Sequence, residues 1–162
     1  MGSMTTRANE VSEGREAVYV FVYGTLKNGY GNNRLLLGET FIGEAVTIPH
    51  EYTMIDGGFP YVLLGGVFHI KGELWAVEND DTLLSLDALE GVRYDHYKRH
   101  TTDVKLVKPN EAAPEGEIGD VYSALMYVAS DNTKQMIESH KSAHMVPIDK
   151  TNVCEWHRGS RR

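Results

Sequence analysis

The stretch Val18-Tyr19-Val20-Phe21-Val22-Tyr23, followed at once by Gly24-Thr25-Leu26-Lys27, decides how this chain is read. Six consecutive β-branched or aromatic residues make an unbroken apolar run, and a run of that length suits a strand buried on both faces. It stops abruptly at Gly24. Gly24 to Asn33 holds three glycines and three asparagines, which is loop composition. Leu35, Leu36 and Leu37 then predict a short helical turn or a buried plug. Upstream, residues 1–16 are polar, carry no periodicity and predict a mobile leader. Within it, Met1-Gly2-Ser3 ahead of Met4 resembles a cloning scar and is left out of the fold reading.

Downstream, β-favouring residues dominate from Glu39 to Asp56, interrupted by Gly43 and Pro49. They predict one bent strand or two short ones, with Pro49 on an edge or at a bulge. Gly57-Gly58-Phe59-Pro60 reads as a turn. Tyr61 to Leu64 and Val67 to Val77 read as strands, with Gly72 marking a bulge or a close backbone approach. Leu83, Leu84, Leu86 and Leu89 fall at helical spacing behind the cap candidates Asp80, Asp81 and Thr82, and Gly91 stands where a left-handed terminator belongs. Further strands are predicted over Thr101 to Val107 and Val121 to Val128, separated by an exposed loop from Lys108 to Gly119. A helix is predicted from Asp131 to His144, capped by Asp131 or Asn132, with fraying from Gly159. Six or so strands around one strong helix, joined by short connections, predict an α+β fold, a small mixed β-barrel flanked by helices. Parallel βαβ winding would need more helices than the sequence offers. The predicted division is a leader at 1–16, one domain at 17–130, and a C-terminal helical extension and tail at 131–162.

Composition limits the function classes. The chain has 162 residues and a formal charge of −7, which fits one acidic domain and disfavours a nucleic-acid module, usually recognised by a basic face. No apolar run approaches the roughly 20 residues of a membrane-spanning helix. No signal core precedes the first strand, so the expected location is cytoplasmic. The single cysteine, Cys154, excludes an intrachain disulfide and cannot by itself build a cysteine-rich metal site.

Two features carry chemistry. A glycine turn directly after a buried strand, at Tyr23-Gly24-Thr25-Leu26, leaves backbone N–H groups without ladder partners, and these can converge on an anion; an ordinary strand-ending turn uses the same residues. The second is Leu86-Asp87-Ala88-Leu89-Glu90-Gly91. Glu90 falls at the negative end of the helix dipole, which disfavours a carboxylate, and burial would raise its pKa further. Asp87, three residues earlier, can share its helix face, and repulsion between the two is expected to add to the rise. A solvated acidic helix end is the plain reading of the same residues. His96 with His100, and His140 with His144, stand four apart as metal ligands can on a helix. The first pair follows a helix terminator and the second lacks a third ligand, so no metal site is assigned.

Together, Val-Tyr-Gly-Thr-Leu-Lys at 22–27, Leu-Asp-x-x-Glu-Gly at 86–91 and Tyr97-Lys98-Arg99 resemble the γ-glutamylcyclotransferase-like family, which includes the AIG2-like and γ-glutamylamine cyclotransferase branches. Gly72-Glu73-Leu74-Trp75 is similar to the family's Gly-Glu-Leu-Tyr strand, with Trp75 in place of Tyr. Phe59-Pro60 sits where the family has Tyr-Pro, and Ala124 to Val128 resembles its closing strand. The resemblance runs from about Val18 to Ser130. It implies a small barrel with a cavity between the Gly24 turn and Glu90. The reaction it implies is an intramolecular transamidation of lyase or acyltransferase type, in which a γ-glutamyl amide releases its amine and forms 5-oxoproline. Glu90 would be the general acid/base, with Tyr23, Gly24, Thr25, Leu26 and Tyr97 around the substrate. No cofactor or metal is implied, and the partner is a small γ-glutamyl molecule, with neither nucleic acid nor membrane. The other function class compatible with these residues is a non-catalytic module that holds a small metabolite or a protein on the same scaffold.

Overall fold

A computed structural model describes residues 17–113, 115–139, 144–145 and 151–157. The opening apolar run forms β1 (Val18–Val22), and its alternating residues enter two different cores. Tyr19, Phe21 and Tyr23 join the larger apolar cluster, while Val20 and Val22 join a smaller one that includes Leu36 and Leu86. That double burial is why the run is apolar at every position.

Five strands close into a barrel. They are β1, β2 (Thr40–Thr47), β5 (His69–Val77), β6 (Tyr97–Pro109) and β7 (Val121–Ala129), in the order β1-β7-β6-β2-β5, with β5 pairing back to β1. All these ladders are antiparallel except β1–β7, which is parallel and places Val20 beside Leu125 and Phe21 beside Met126. Closure leaves no edge between these five strands open to water or to another chain. A hairpin of β3 (Tyr52–Asp56) and β4 (Pro60–Leu64), extended by the short β8 (His144–Met145), forms a second sheet. Tyr52, Met54 and Val62 from this hairpin complete the larger core. The short β9 (Val153–Cys154) lies parallel to the start of β5 and brings Cys154 and Trp156 into the same core.

The predicted strand between Glu39 and Asp56 is therefore two strands, with Pro49 in the connection between them. Gly72 marks a close approach, not a bulge: a Cβ there would stand 2.2 Å from the Val22 carbonyl oxygen. The register shifts fall instead in β2, between Phe41 and Gly43 against β5 and between Glu44 and Ala45 against β6. The strand predicted from Thr101 begins four residues earlier, at Tyr97, because the ladder with β7 runs unbroken from Tyr97↔Ala129.

Helix α1 (Asp80–Leu89) is capped by Asn79, whose side chain accepts from the Asp81 amide at 2.8 Å, and not by Asp80, Asp81 or Thr82. The cap one residue earlier puts Asp80 and Asp81 in the first turn, at the positive end of the dipole. Helix α2 (Asp131–Glu138) is likewise capped one residue before the predicted candidates, by Ser130, and ends well short of His144. His144 belongs to β8, and His140 and the predicted leader lie outside the described residues. Among the described residues no helix is long and apolar enough to cross a membrane.

Candidate active site

A cavity of about 220 Å³ opens at the end of β1, where the Gly24 turn, the start of β4, the end of α1 and the start of β6 converge. All six predicted site residues line it: Tyr23, Gly24, Thr25, Leu26, Glu90 and Tyr97.

The turn owes its shape to a short 3-10 helix (Gly31–Leu36) folded back upon it. Lys27 N–H donates to the Gly24 carbonyl at 3.0 Å and Asn32 N–H to the Thr25 carbonyl at 3.1 Å. The Asn33 side-chain amide donates to the Leu26 carbonyl at 2.8 Å, and that of Asn32 to the Thr25 hydroxyl at 2.8 Å. The three carbonyls are thus occupied within the loop. Among the described residues, the N–H groups of Gly24, Thr25 and Leu26 find no protein acceptor. Such a set of free donors beside a cavity can take an anion or a carbonyl oxygen.

Lys27, next in sequence, turns away from the cavity. Its Nζ donates to the Trp156 carbonyl at 2.7 Å and lies 5.6 Å from the centre of the Tyr30 ring. Among the described residues no lysine or arginine lines the cavity, and its free donors for an anion are the N–H groups of the Gly24 turn.

Glu90 is the C-cap of α1, its N–H still bonded to the Leu86 carbonyl at 2.9 Å. The chain then reverses at Gly91, in the left-handed conformation (φ 66°) expected of a helix terminator. A Cβ on Gly91 would come within 2.9 Å of the His96 Cβ, so glycine also lets the returning chain pack against the helix end. Burial raises the Glu90 carboxyl from its ordinary 4.5 to about 7. Asp87 plays no part in that rise, contrary to the repulsion expected from the sequence. Burial pushes Asp87 up, but hydrogen bonds from Arg99 and Tyr127 and the guanidinium charge outweigh it, and Asp87 titrates below the ordinary carboxylate range.

Tyr23 and Tyr97 flank Glu90 closely enough for its charge to reinforce the elevation that burial imposes on both phenols. Their protons are directed elsewhere: Tyr23 donates to the Tyr127 carbonyl at 2.6 Å and Tyr97 to the Pro60 carbonyl at 3.3 Å. Among the described residues, the Glu90 carboxylate therefore receives no phenol hydrogen bond that would stabilise its ionised form.

The cavity has a second, aromatic side that the sequence reading does not assign to the site. Phe59, 62 % exposed, stands at the mouth, and Tyr61 stacks on Tyr97 with ring centres 5.8 Å apart. His96 packs against both rings, and its Nδ1 lies 3.4 Å from the Thr133 hydroxyl. His100 instead points toward Tyr52, 3.2 Å from its hydroxyl, so the two histidines lie in different surroundings. The available signal was the density of aromatic residues in Phe59-Pro60-Tyr61 and beside Tyr97. What brings them together is the pairing of β3 with β4 and the reversal at Gly91, neither of which spacing reveals.

The family model described as Gamma-glutamyl cyclotransferase, AIG2-like matches residues 20–145. The gamma-glutamylaminecyclotransferase of Rattus norvegicus is 32 % identical over 120 residues, which span 67 % of this chain and 79 % of that protein. A protein of Methanocaldococcus jannaschii is 38 % identical over 90 residues, 54 % of this chain and 72 % of its own length. The crystal structure of an AIG2-like protein from Mus musculus shares the fold, with a TM-score of 0.60 over 88 % of this chain and 97 % of that one at 19 % identity. With the matched segment spanning both the Gly24 turn and the helix that ends at Glu90, the chain belongs to the AIG2-like gamma-glutamyl cyclotransferase family.

Proposed function

We propose that this protein releases an amine from a γ-glutamyl amide and forms 5-oxoproline, with Glu90 as the general acid/base. The observation that carries the reading is one carboxyl, raised to about 7, sharing a cavity with three backbone N–H groups that have no acceptor among the described residues. The substrate's α-amino nitrogen attacks its own δ-carbonyl carbon. A C–N bond closes the five-membered ring, and the C–N bond to the leaving amine breaks. Glu90 takes the proton from the attacking nitrogen and returns it to the departing one, a transfer suited to a group titrating near neutrality. The N–H groups of Gly24, Thr25 and Leu26 hold the substrate's α-carboxylate or the developing oxyanion. Nucleophile and electrophile arrive in one molecule, so the protein has to fold the substrate into attack geometry.

The test is 5-oxoproline release from a panel containing γ-glutamyl-ε-lysine and γ-glutamyl dipeptides. Glu90→Gln is expected to lower kcat about 10²- to 10⁴-fold while substrate binding survives. A wild-type protein that binds members of the panel yet releases no 5-oxoproline would instead be a metabolite-binding module.

A further inference from the structure

Arg99 and Tyr127 are directly opposed in the β6–β7 ladder, so their side chains leave the same face of the barrel wall. Between them they grip one residue of α1. Arg99 donates from Nε to Asp87 Oδ1 at 2.9 Å and from a terminal nitrogen to Oδ2 at 2.7 Å. The Tyr127 hydroxyl donates to the same Oδ1 at 2.7 Å. This bidentate fork with a third donor fixes the carboxylate in direction as well as distance. Asp87 stands three residues, nearly one helical turn, before Glu90. Tyr127 lines the cavity itself, and its carbonyl is the acceptor that holds the Tyr23 hydroxyl.

We infer that Asp87, Arg99 and Tyr127 form a positioning clamp that fixes the rotation of the end of α1, and thereby aims Glu90 into the cavity and not into solvent. None of the three needs to touch the reacting atoms. The inference rests on the proposed role of Glu90 for its catalytic consequence but not for its geometric one. Glu90 has no ion pair of its own among the described residues; Leu86, with Leu83 beside it, seats α1 on the smaller core, and the clamp adds the directional contacts nearest Glu90. Among the described residues, the titratable groups that line the cavity with Glu90 are Tyr23, Tyr61, His96, Tyr97 and Tyr127, and Tyr23 and Tyr97 donate their hydroxyl protons to main-chain carbonyls.

The experiment compares wild type with Asp87→Ala and Arg99→Lys by two readouts. One is turnover of the γ-glutamyl panel. The other is NMR titration of protein carrying carboxyl-labelled glutamate, with Glu90 assigned by difference from Glu90→Gln. In Asp87→Ala, kcat is expected to fall about tenfold to a hundredfold with KM changed less, as expected for a misplaced catalytic group. The Glu90 midpoint should move from about 7 toward 4.5 as the carboxyl gains solvent. Arg99→Lys, which keeps charge but loses the fork, should lie between the two. A folded Asp87→Ala protein with wild-type kcat and an unmoved Glu90 midpoint would overturn the clamp. If Asp87→Ala does not fold, Arg99→Lys and Tyr127→Phe decide by the same readouts. If wild type turns over nothing, the functional reading falls, and the titration alone still decides the clamp.

Discussion

Replacing Glu90 by glutamine should make the protein more stable in alkali than in acid, relative to wild type, because the native fold opposes ionisation of this carboxyl. In the unfolded chain it titrates near 4.5, in the folded protein near 7. Below pH 4.5 both states are protonated and the side chain carries no penalty. Between 4.5 and 7 the unfolded state ionises first, so wild-type stability declines as pH rises, and above 7 the loss is complete. The gap, at about 1.4 kcal/mol for each tenfold change in proton affinity, comes to about 3 kcal/mol, of which about 1 is already present at pH 5. Glutamine keeps the shape and never ionises. The stability difference between Glu90→Gln and wild type should therefore grow by about 2 kcal/mol from pH 5 to pH 8, equivalent to roughly 4–8 °C in thermal midpoint for a domain of this size. Urea unfolding of both proteins at the two pH values measures it, and titrations common to both cancel in the difference. A difference that is the same at pH 5 and pH 8 would mean that Glu90 ionises as freely in the fold as outside it. Such a result would refute the burial of the Glu90 carboxyl in the cavity.

Two further expectations follow from the same geometry. The kcat/KM for 5-oxoproline formation should fall on the acid side with a break near pH 7, where protonation of free-enzyme Glu90 removes the base; a profile without that break would place the essential base elsewhere. Alanine substitutions should separate three glycines. Gly24→Ala, with a Cβ 2.7 Å from the Pro60 ring, should raise KM about tenfold by shifting the cavity wall, while Gly72→Ala, 2.2 Å from a backbone oxygen, should destabilise the fold by about 3 kcal/mol, and Gly31→Ala, with nothing within 4 Å, should do neither; binding titrations and thermal melts distinguish them.

Much of this architecture is legible in the chain because burial writes itself into composition. The unbroken run at Val18–Tyr23 is apolar at every position since its two faces feed two cores. Glu90 followed by Gly91 at the end of a leucine-spaced helix marks the terminator, and of the effects the sequence suggests for the carboxyl, burial is the one that raises it. Caps were less legible: Asn79 and Ser130 act through a single side-chain oxygen whose reach depends on the local backbone, and neighbouring Asp and Thr residues have the same chemistry. Asp87 was read with the wrong partner. Spacing along a helix puts it near Glu90, but the Arg99–Tyr127 pair that binds it is made by strand register, and Tyr127 lies 40 residues beyond Asp87. Tyr61 and His96 are hidden from the sequence for the same reason, since they meet Tyr97 only through the tertiary fold.

The parallel pairing of β1 with β7 also has a consequence for the order of events at the ribosome. Strand β1, Val18–Val22, acquires this neighbour only when Leu125 and Met126 have been made. The Tyr23 hydroxyl waits just as long, for a carbonyl 104 residues further on. Such distant pairing is a late and slow step in folding. A nascent or truncated chain that ends before β7 has the residues of the Gly24 turn and Glu90 but lacks the wall that joins them, so the cavity is completed only after β7 has been made.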